Sequence, residues 1–518
     1  MRFTDFHATG VCTPSRAQLQ TGRQGARTGV TSNFQPGSLG GLPQSEKTVA
    51  SYVKELGYST CAVGKWHMGV KKNFNPLDHG YDHYLGLPES NDYGCTDTQM
   101  GAPDSGCLNW QKDRCPRNAA EAANPPKDWD GTKCHPGPIN PWKYSIPLLN
   151  GRDIVEQPAD LDGSRTGTPV SLKYGKFGAE FIRNSTQAKK PFLLYIAWSH
   201  MHVPMVHSKA FEGKSGIGPL GDSLMELDTA AGMVLSALDD AKVADNTIVL
   251  LTGDNGPPED QCDWGGSKGP FVGAYAKNRK HGGGGSSGKI TSWEGGHREV
   301  GVFRWPGQIQ KGSISHALAS TMDCTPTIVA LAGGQLPTDR TFDGMDMAPV
   351  LFKGAKKLHD NLFFSVGGEV YNTKLPGQSR HNPSGALFES VRTTRYSAMY
   401  KVGYGAQCCR SSTTGDANTP YNSTCSSPFG ALGYAAKWLP IDAPLLFDMS
   451  VDVGQETPLV AGSAAHGAAL KAIQAALQQH NASLHDGKLQ SVPSYKADLK
   501  QKACCNSSNV VCRCTELP

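Results

Sequence analysis

Residues 192–202, Phe-Leu-Leu-Tyr-Ile-Ala-Trp-Ser-His-Met-His, pass without a break from an apolar run into polar side chains of catalytic type. Seven apolar residues are the length of a buried strand and far short of the roughly 18 a membrane span needs. Two further segments repeat the design: residues 59–63 lead into Gly64-Lys65-Trp66-His67, and residues 247–252 lead into Gly253-Asp254-Asn255-Gly256. In open α/β sheets the ligand lies beyond the carboxyl ends of the strands, so three separate segments aim at one place. Between the last two runs, Leu224, Leu227, Val234, Leu235 and Leu238 recur at helical spacing, and Ser223 with Glu226 reads as a capping box that starts the helix. The rhythm from the start to residue 350 is that of an α/β domain, a mostly parallel sheet sandwiched by helices. From residue 355 to 518 it changes. Strand-like pieces at 362–366, 390–403 and 445–449 and a helix-like 468–479 indicate a smaller domain of antiparallel sheet plus helix. Two domains also suit 518 residues, too many for one ordinary core.

Composition narrows the function. The chain is 38% hydrophobic and 19% charged with 60 Gly and 34 Pro, a globular and loop-rich make-up. A net charge of +4 with no long Lys/Arg run calls for neither nucleic acid nor an anionic membrane, so an anion must be bound locally. Fifteen cysteines, clustered at Cys95/Cys107/Cys115/Cys134, Cys408/Cys409/Cys425 and Cys504/Cys505/Cys512/Cys514, imply stapled loops and an oxidising compartment. Cys61 and Cys324 fall in core-like segments and are expected as buried free thiols. Sequons at Asn184, Asn422, Asn481 and Asn506 agree with the secretory pathway. Residues 282–288, Gly-Gly-Gly-Gly-Ser-Ser-Gly, read as a flexible loop before Lys289.

The sharpest motif is Cys12-Thr13-Pro14-Ser15-Arg16, continuing through Leu19 to Thr21-Gly22-Arg23. Pro14 suits a first helical turn, so Cys12 belongs at a helix N-terminus, where free N–H groups and the dipole favour an anion. The motif resembles the signature of the sulfatase family, and Gly64-Lys65-Trp66-His67-Met68-Gly69, residues 218–228 and the cysteine-rich tail extend the likeness over nearly the whole chain, to the arylsulfatase A type in particular. The resemblance implies an alkaline-phosphatase-like fold and hydrolysis of sulfate esters. It implies that Cys12 is oxidised to formylglycine by a formylglycine-generating enzyme. The aldehyde hydrate offers two hydroxyls on one carbon: one attacks sulfur and expels the alcohol, the other collapses to the aldehyde and ejects sulfate, an exit that a serine lacks.

The same resemblance assigns roles. Lys65 and Lys289 bind sulfate, His67 acts as the base, and His202 contacts sulfate and protonates the leaving oxygen, with the role of His200 left open. Arg16 bonds the hydrate and Ser90 touches the substrate. Asp254 and Asn255, with the modified Cys12, hold Ca²⁺ or Mg²⁺; hard oxygen donors, one of them neutral, suit such an ion. Without the family, His200-Met201-His202 reads equally as a zinc pair, and Asp-Asn-Gly as a turn. The implied substrate is a sulfated small molecule, glycolipid or glycan, and the implied location lysosomal or extracellular; a homo-oligomer is left open. In the family an apolar strand ending in Asp-Asp precedes the modified cysteine by a few dozen residues. Cys12 is too near Met1 for it, and Asp5 has no preceding strand to place it beside Asp254. Upstream coding sequence carrying a signal peptide, that strand and the Asp pair is therefore expected, with the 518-residue chain alone binding Ca²⁺ weakly and nearly inactive. Two rivals share the features: a phosphate or phosphonate ester hydrolase of the same superfamily, and an inactive binder of sulfated ligands.

Overall fold

The run at 192–198 forms the strand Phe192–Ala197, which pairs in parallel with Ser59–Gly64. This computed structural model describes residues 1–35, 38–95, 144–157, 159–203, 205–259, 265–277, 286–365, 388–402 and 437–484. The clustered cysteines from Cys107 to Cys134, Cys408 to Cys425 and Cys504 to Cys514, the sequons at Asn422 and Asn506, and most of the glycine run at 282–288 lie outside them.

The chain divides into two compact units. One comprises Met1–Asn33, Ile248–Leu331 and Gln335–Ser491; the other comprises Phe34–Thr247, Ala332–Gly334 and Val492–Pro518.

In the second of these, five strands lie in the order Asp153–Glu156, Leu148–Asn150, His83–Gly86, Ser59–Gly64, Phe192–Ala197. Ser59–Gly64 is parallel to both neighbours, and the outer two strands are antiparallel, so the sheet is mixed. The strand Ser59–Gly64 ends at Gly64, which has φ +92° and no room for a Cβ beside the Ala197 carbonyl. The helix Val170–Gln187 packs on this sheet, and Pro219–Asp240 packs on that helix. Pro219–Asp240 starts four residues earlier than its leucine spacing suggests, with Pro219 at the first turn. The expected capping box is absent, because Ser223 and Glu226 are interior to the helix. Ser223 Oγ donates to the Val206 carbonyl, and Glu226 accepts from other segments. Leu224 is 50% exposed, whereas Asp222, Ser223 and Glu226 are buried. The buried face of the N-terminal half is polar because it holds a loop rather than a core.

In the first unit the strand Arg2–His7 lies between Ile314–Ser315, parallel to it, and Arg298–Arg304, antiparallel, with Val249–Thr252 at the far edge. Phe3, Phe6 and Phe303 meet edge to face with ring centroids 5.5–6.2 Å apart. Each buried ring contributes about 2 kcal/mol from area alone. A separate four-stranded antiparallel sheet, Asn361–Phe364, Ser390–Thr393, Tyr396–Met399 and Leu445–Asp448, carries the helix Ala464–Leu484. Ala469, Ile473, Ala476 and Leu477 of that helix bury against Val391, Ala398 and Leu446. This is the antiparallel sheet with one helix expected from residues 355 onward. Cys61 and Cys324 are buried thiols outside any disulfide, and burial pushes both thiols far above their ordinary range, which keeps them inert.

Candidate active site

Cys12 is the first residue of the helix Cys12–Thr21, preceded by Val11 in extended conformation, and is almost fully buried. Pro14 in the first turn has no N–H to leave orphaned, and the Thr13 N–H donates to Asn33 Oδ1 at 2.9 Å. One turn further, Arg16 donates from its guanidinium to Asp254 Oδ2 at 2.6 Å. Three loops of this unit are then laced by backbone hydrogen bonds. The Ile290 N–H donates to the Gly10 carbonyl at 2.7 Å, Lys289 N–H to Pro257 at 2.9 Å, and Gly256 N–H to Gly296 at 2.9 Å. Cys12, Arg16, Asp254, Asn255 and Lys289 thus sit on segments fixed to one another by main chain. Asn255 donates its Nδ2 to the Gly256 carbonyl at 3.0 Å and leaves a buried Oδ1 without a hydrogen-bond partner among the described residues. An orphaned amide oxygen beside a carboxylate is a donor set for a hard cation, and it fits the divalent ion expected there.

In the second unit the organiser is the turn Asn91–Tyr93 with Ser90 before it. Lys65 donates its Nζ to Ser90 Oγ at 2.8 Å, and both residues are buried. The ring of His67 meets the edge of Tyr93 with centroids 5.1 Å apart. His67 has φ +59°, a conformation that non-glycine residues seldom take and that clusters at functional sites. Its Nε2 lies 3.3 Å from the Phe34 carbonyl. His202 faces Asp92 at 3.8 Å and the Val203 carbonyl at 2.9 Å from Nδ1, while Asn91 donates to the carbonyls of His202 and Val203. Ser90 and the turn after it therefore touch Lys65, His202 and His67 in succession. From this turn the sequence reading selected Ser90 alone; an Asn-Asp pair directly after it was the available signal.

The loop bearing His202 is held from the opposite side by Glu226. This fully buried carboxylate lies 3.1 Å from His200 Nε2, accepts from Ser171 Oγ at 2.6 Å, and accepts from the Ser208 N–H at 2.7 Å. Burial works to raise the Glu226 carboxyl, but these hydrogen bonds prevail and hold it below its ordinary value. His200, whose role was open, thus ties this loop to Glu226.

A second polar cluster lies in the first unit, and sequence reading missed it. His7, Glu294 and His297 bring ligand-type atoms within 4.8 Å of one another, all buried. The two Nδ1 atoms are 3.0 Å apart, and His7 Nε2 lies 2.7 Å from Asp5. Glu294 is already spanned by Arg298 and Arg392, and Asp5 is held by the same two arginines. Burial lowers both histidines, His297 to about 3, so they stay neutral. With two guanidinium groups on its only carboxylate, the cluster is better suited to bracing than to holding a cation.

Comparison with known proteins bears on the whole chain. Residues 1–334 match the sulfatase family model, and residues 379–514 match that of the C-terminal region of aryl-sulfatase. The chain belongs to the sulfatase family. Arylsulfatase G of Homo sapiens is 35% identical over 515 residues, 99% of this chain and 86% of the relative. Arylsulfatase A of Homo sapiens is 34% identical over 483 residues, 92% and 79% respectively. The crystal structure of the PsFucS1 sulfatase from Pseudoalteromonas sp. superposes with a TM-score of 0.67 at 21% identity, covering 93% of this chain and 82% of that one. That similarity shows an alkaline-phosphatase-like fold of mixed sheets and helices with a separate C-terminal antiparallel sheet. This sulfatase is a sulfuric ester hydrolase, and family membership carries with it a metal ion and a formylglycine. Among its described residues no helix is long and apolar enough to cross a membrane.

Proposed function

We propose that this sulfatase cleaves aryl or sugar sulfate esters with Cys12, oxidised to formylglycine, as nucleophile. The observation that supports this reading most is the position of Cys12, buried at the first turn of a helix with Arg16 one turn on. Residue 12, as the aldehyde hydrate, forms a bond from one hydroxyl oxygen to sulfur, losing that hydroxyl's proton to water, as the bond from sulfur to the ester oxygen breaks. His202 supplies the proton that the departing alcohol needs. His67 takes the proton of the second hydroxyl, whose electron pair restores the aldehyde as sulfate leaves. Lys65, oriented by Ser90, and Lys289 neutralise sulfate oxygens, and Arg16 bonds the hydrate. Ca²⁺ bound by Asp254 and Asn255 with residue 12 would supply Lewis acidity toward the transferred group.

The substrate in the cell is a sulfated glycolipid or glycan, and the compartment is the secretory route, lysosomal or extracellular. Cysteine richness and the sequons support this, with Asn184 exposed on its helix. The deciding experiment compares sulfate release from an aryl sulfate with turnover of the matching phosphate diester, alongside the mass of the Cys12 peptide. A peptide that retains only the thiol in active protein, or faster phosphate turnover, would sink the proposal.

A further inference from the structure

Glu299 has no part in the reading so far. It lies on the strand Arg298–Arg304, whose antiparallel register with Val249–Thr252 pairs Gly301 with Thr252. Continued by two residues, that register brings Glu299 level with Asp254. Alternation sends neighbouring side chains of a strand to opposite faces. Arg298 accordingly turns to Asp5 and Glu294, and Glu299 turns the other way, against Gly253. The approach is so close that a Cβ at residue 253 would collide with Glu299 Oε2, which explains the glycine before the Asp-Asn pair.

Two oxygen atoms here are buried and accept no hydrogen bond among the described residues: Glu299 Oε1 and Asn255 Oδ1. Asp254 is beside them, with Oδ2 bonded to Arg16. Two carboxylates and an amide oxygen served by one guanidinium leave an excess of acceptors over donors. A buried acceptor left in that state is costly, and a bound cation removes the cost.

We propose that Glu299 is a further oxygen ligand, beside Asp254, Asn255 and residue 12, for the divalent cation of this sulfatase. The assignment rests on the reading of Asp254 and Asn255 as cation ligands, and it gives the chain a carboxylate that the Asp-Asn motif does not announce. No contact with substrate is assigned to Glu299.

Calcium uptake by the full chain, measured by calorimetric titration after chelation, tests this without reference to turnover. Glu299→Gln, nearly isosteric, is expected to weaken Ca²⁺ binding about tenfold or more, since charge count tunes such sites. It should also shrink the rise in melting temperature that Ca²⁺ produces. Glu299→Asp, with its charge kept and its reach shortened, should fall between, and it serves as the folded probe if the glutamine variant does not fold. Asp254→Asn distinguishes loss of one ligand from absence of the whole site. If Asp254→Asn weakens binding and Glu299→Gln and Glu299→Asp do not, Glu299 is no ligand and the Asp254/Asn255 site stands. If none of the three weakens binding, or if the unsubstituted chain takes up no Ca²⁺, the cation reading itself falls and takes Glu299 with it.

Discussion

The two groups of proposed site residues, one in each unit, are held by different means. Cys12, Arg16, Asp254, Asn255 and Lys289 ride on loops joined by backbone hydrogen bonds, Gly10 to Ile290 and Pro257 to Lys289. Lys65 and His67 are also tied by main chain, to Ala197 and Pro88, but the side chains of Lys65, His67 and His202 lean in addition on Ser90, Tyr93, Asp92 and, through His200, Glu226. Main-chain lacing tolerates loss of a side chain, because the scaffold does not include it. Side-chain lacing passes a substitution on to its neighbours. The first half should therefore lose chemistry without losing structure, and the second should lose both.

The largest effect tests the first half. Cys12→Ala should abolish sulfate release, a fall on the order of 10⁴-fold or more as expected for a nucleophile, with the melting temperature nearly unchanged. Turnover close to that of the parent would exclude Cys12, and a collapse in stability would show that the lacing needs its side chain. Lys65→Ala should follow, with a drop in kcat/KM of about 10²–10³-fold as for loss of one charge-stabilising donor, and Ser90→Ala with a smaller one. Equal losses for the pair would mean that Ser90 acts on substrate directly rather than by aiming Lys65.

Glu226→Ala should break the second half from beneath. It leaves His200 Nε2, Ser171 Oγ and the Ser208 N–H without their shared acceptor, at a stability cost of about 3 kcal/mol. Turnover should also fall, mainly in kcat, because the loop carrying His202 loses its anchor. A variant as stable as the parent, measured by denaturant midpoint, would show that the loop is held elsewhere.

What the sequence disclosed follows the same division. Cys12 to Arg16, Lys65 to His67 and Asp254-Asn255 were legible because each is contiguous and follows a strand or opens a helix. The strands at 59–63 and 192–198 were legible from short apolar runs; that they pair with each other was not. Glu226 was misread as a cap because its pattern with Ser223 is local, whereas its partners lie at His200, Ser171 and Ser208, and no spacing rule brings those together. Glu299 was hidden for a related reason: only the cross-strand register opposite Asp254 gives it meaning. The antiparallel outer strands, Leu148–Asn150 and Asp153–Glu156, are too short for periodicity to declare their direction.

The smallest expected effect concerns what supports the first half from below. The helix Cys324–Leu331 packs against the helix Cys12–Thr21, and Thr325 Oγ1 donates to the Leu19 carbonyl at 2.8 Å. Asp323, just ahead of it, accepts from the N–H groups of Ser320 and Met345 and lies 2.6 Å from His359 Nε2. Burial alone would lower the His359 imidazole, but the charge and hydrogen bond of Asp323 outweigh it and raise the pKa above the ordinary 6.5. A raised histidine binds its proton more tightly folded than unfolded, so its contribution is complete below about 6.5 and disappears as pH climbs through the folded value. His359→Gln should therefore cost about 2 kcal/mol at pH 5.5, the scale of a hydrogen bond to a charged group, and distinctly less at pH 8.5. Urea midpoints of parent and variant at the two pH values isolate the term, since every other titrating group is common to both chains. A cost that grows with pH would mean that Asp323 is held by its backbone donors and that His359 stays neutral beside it. The main chain would then support this half down to its base.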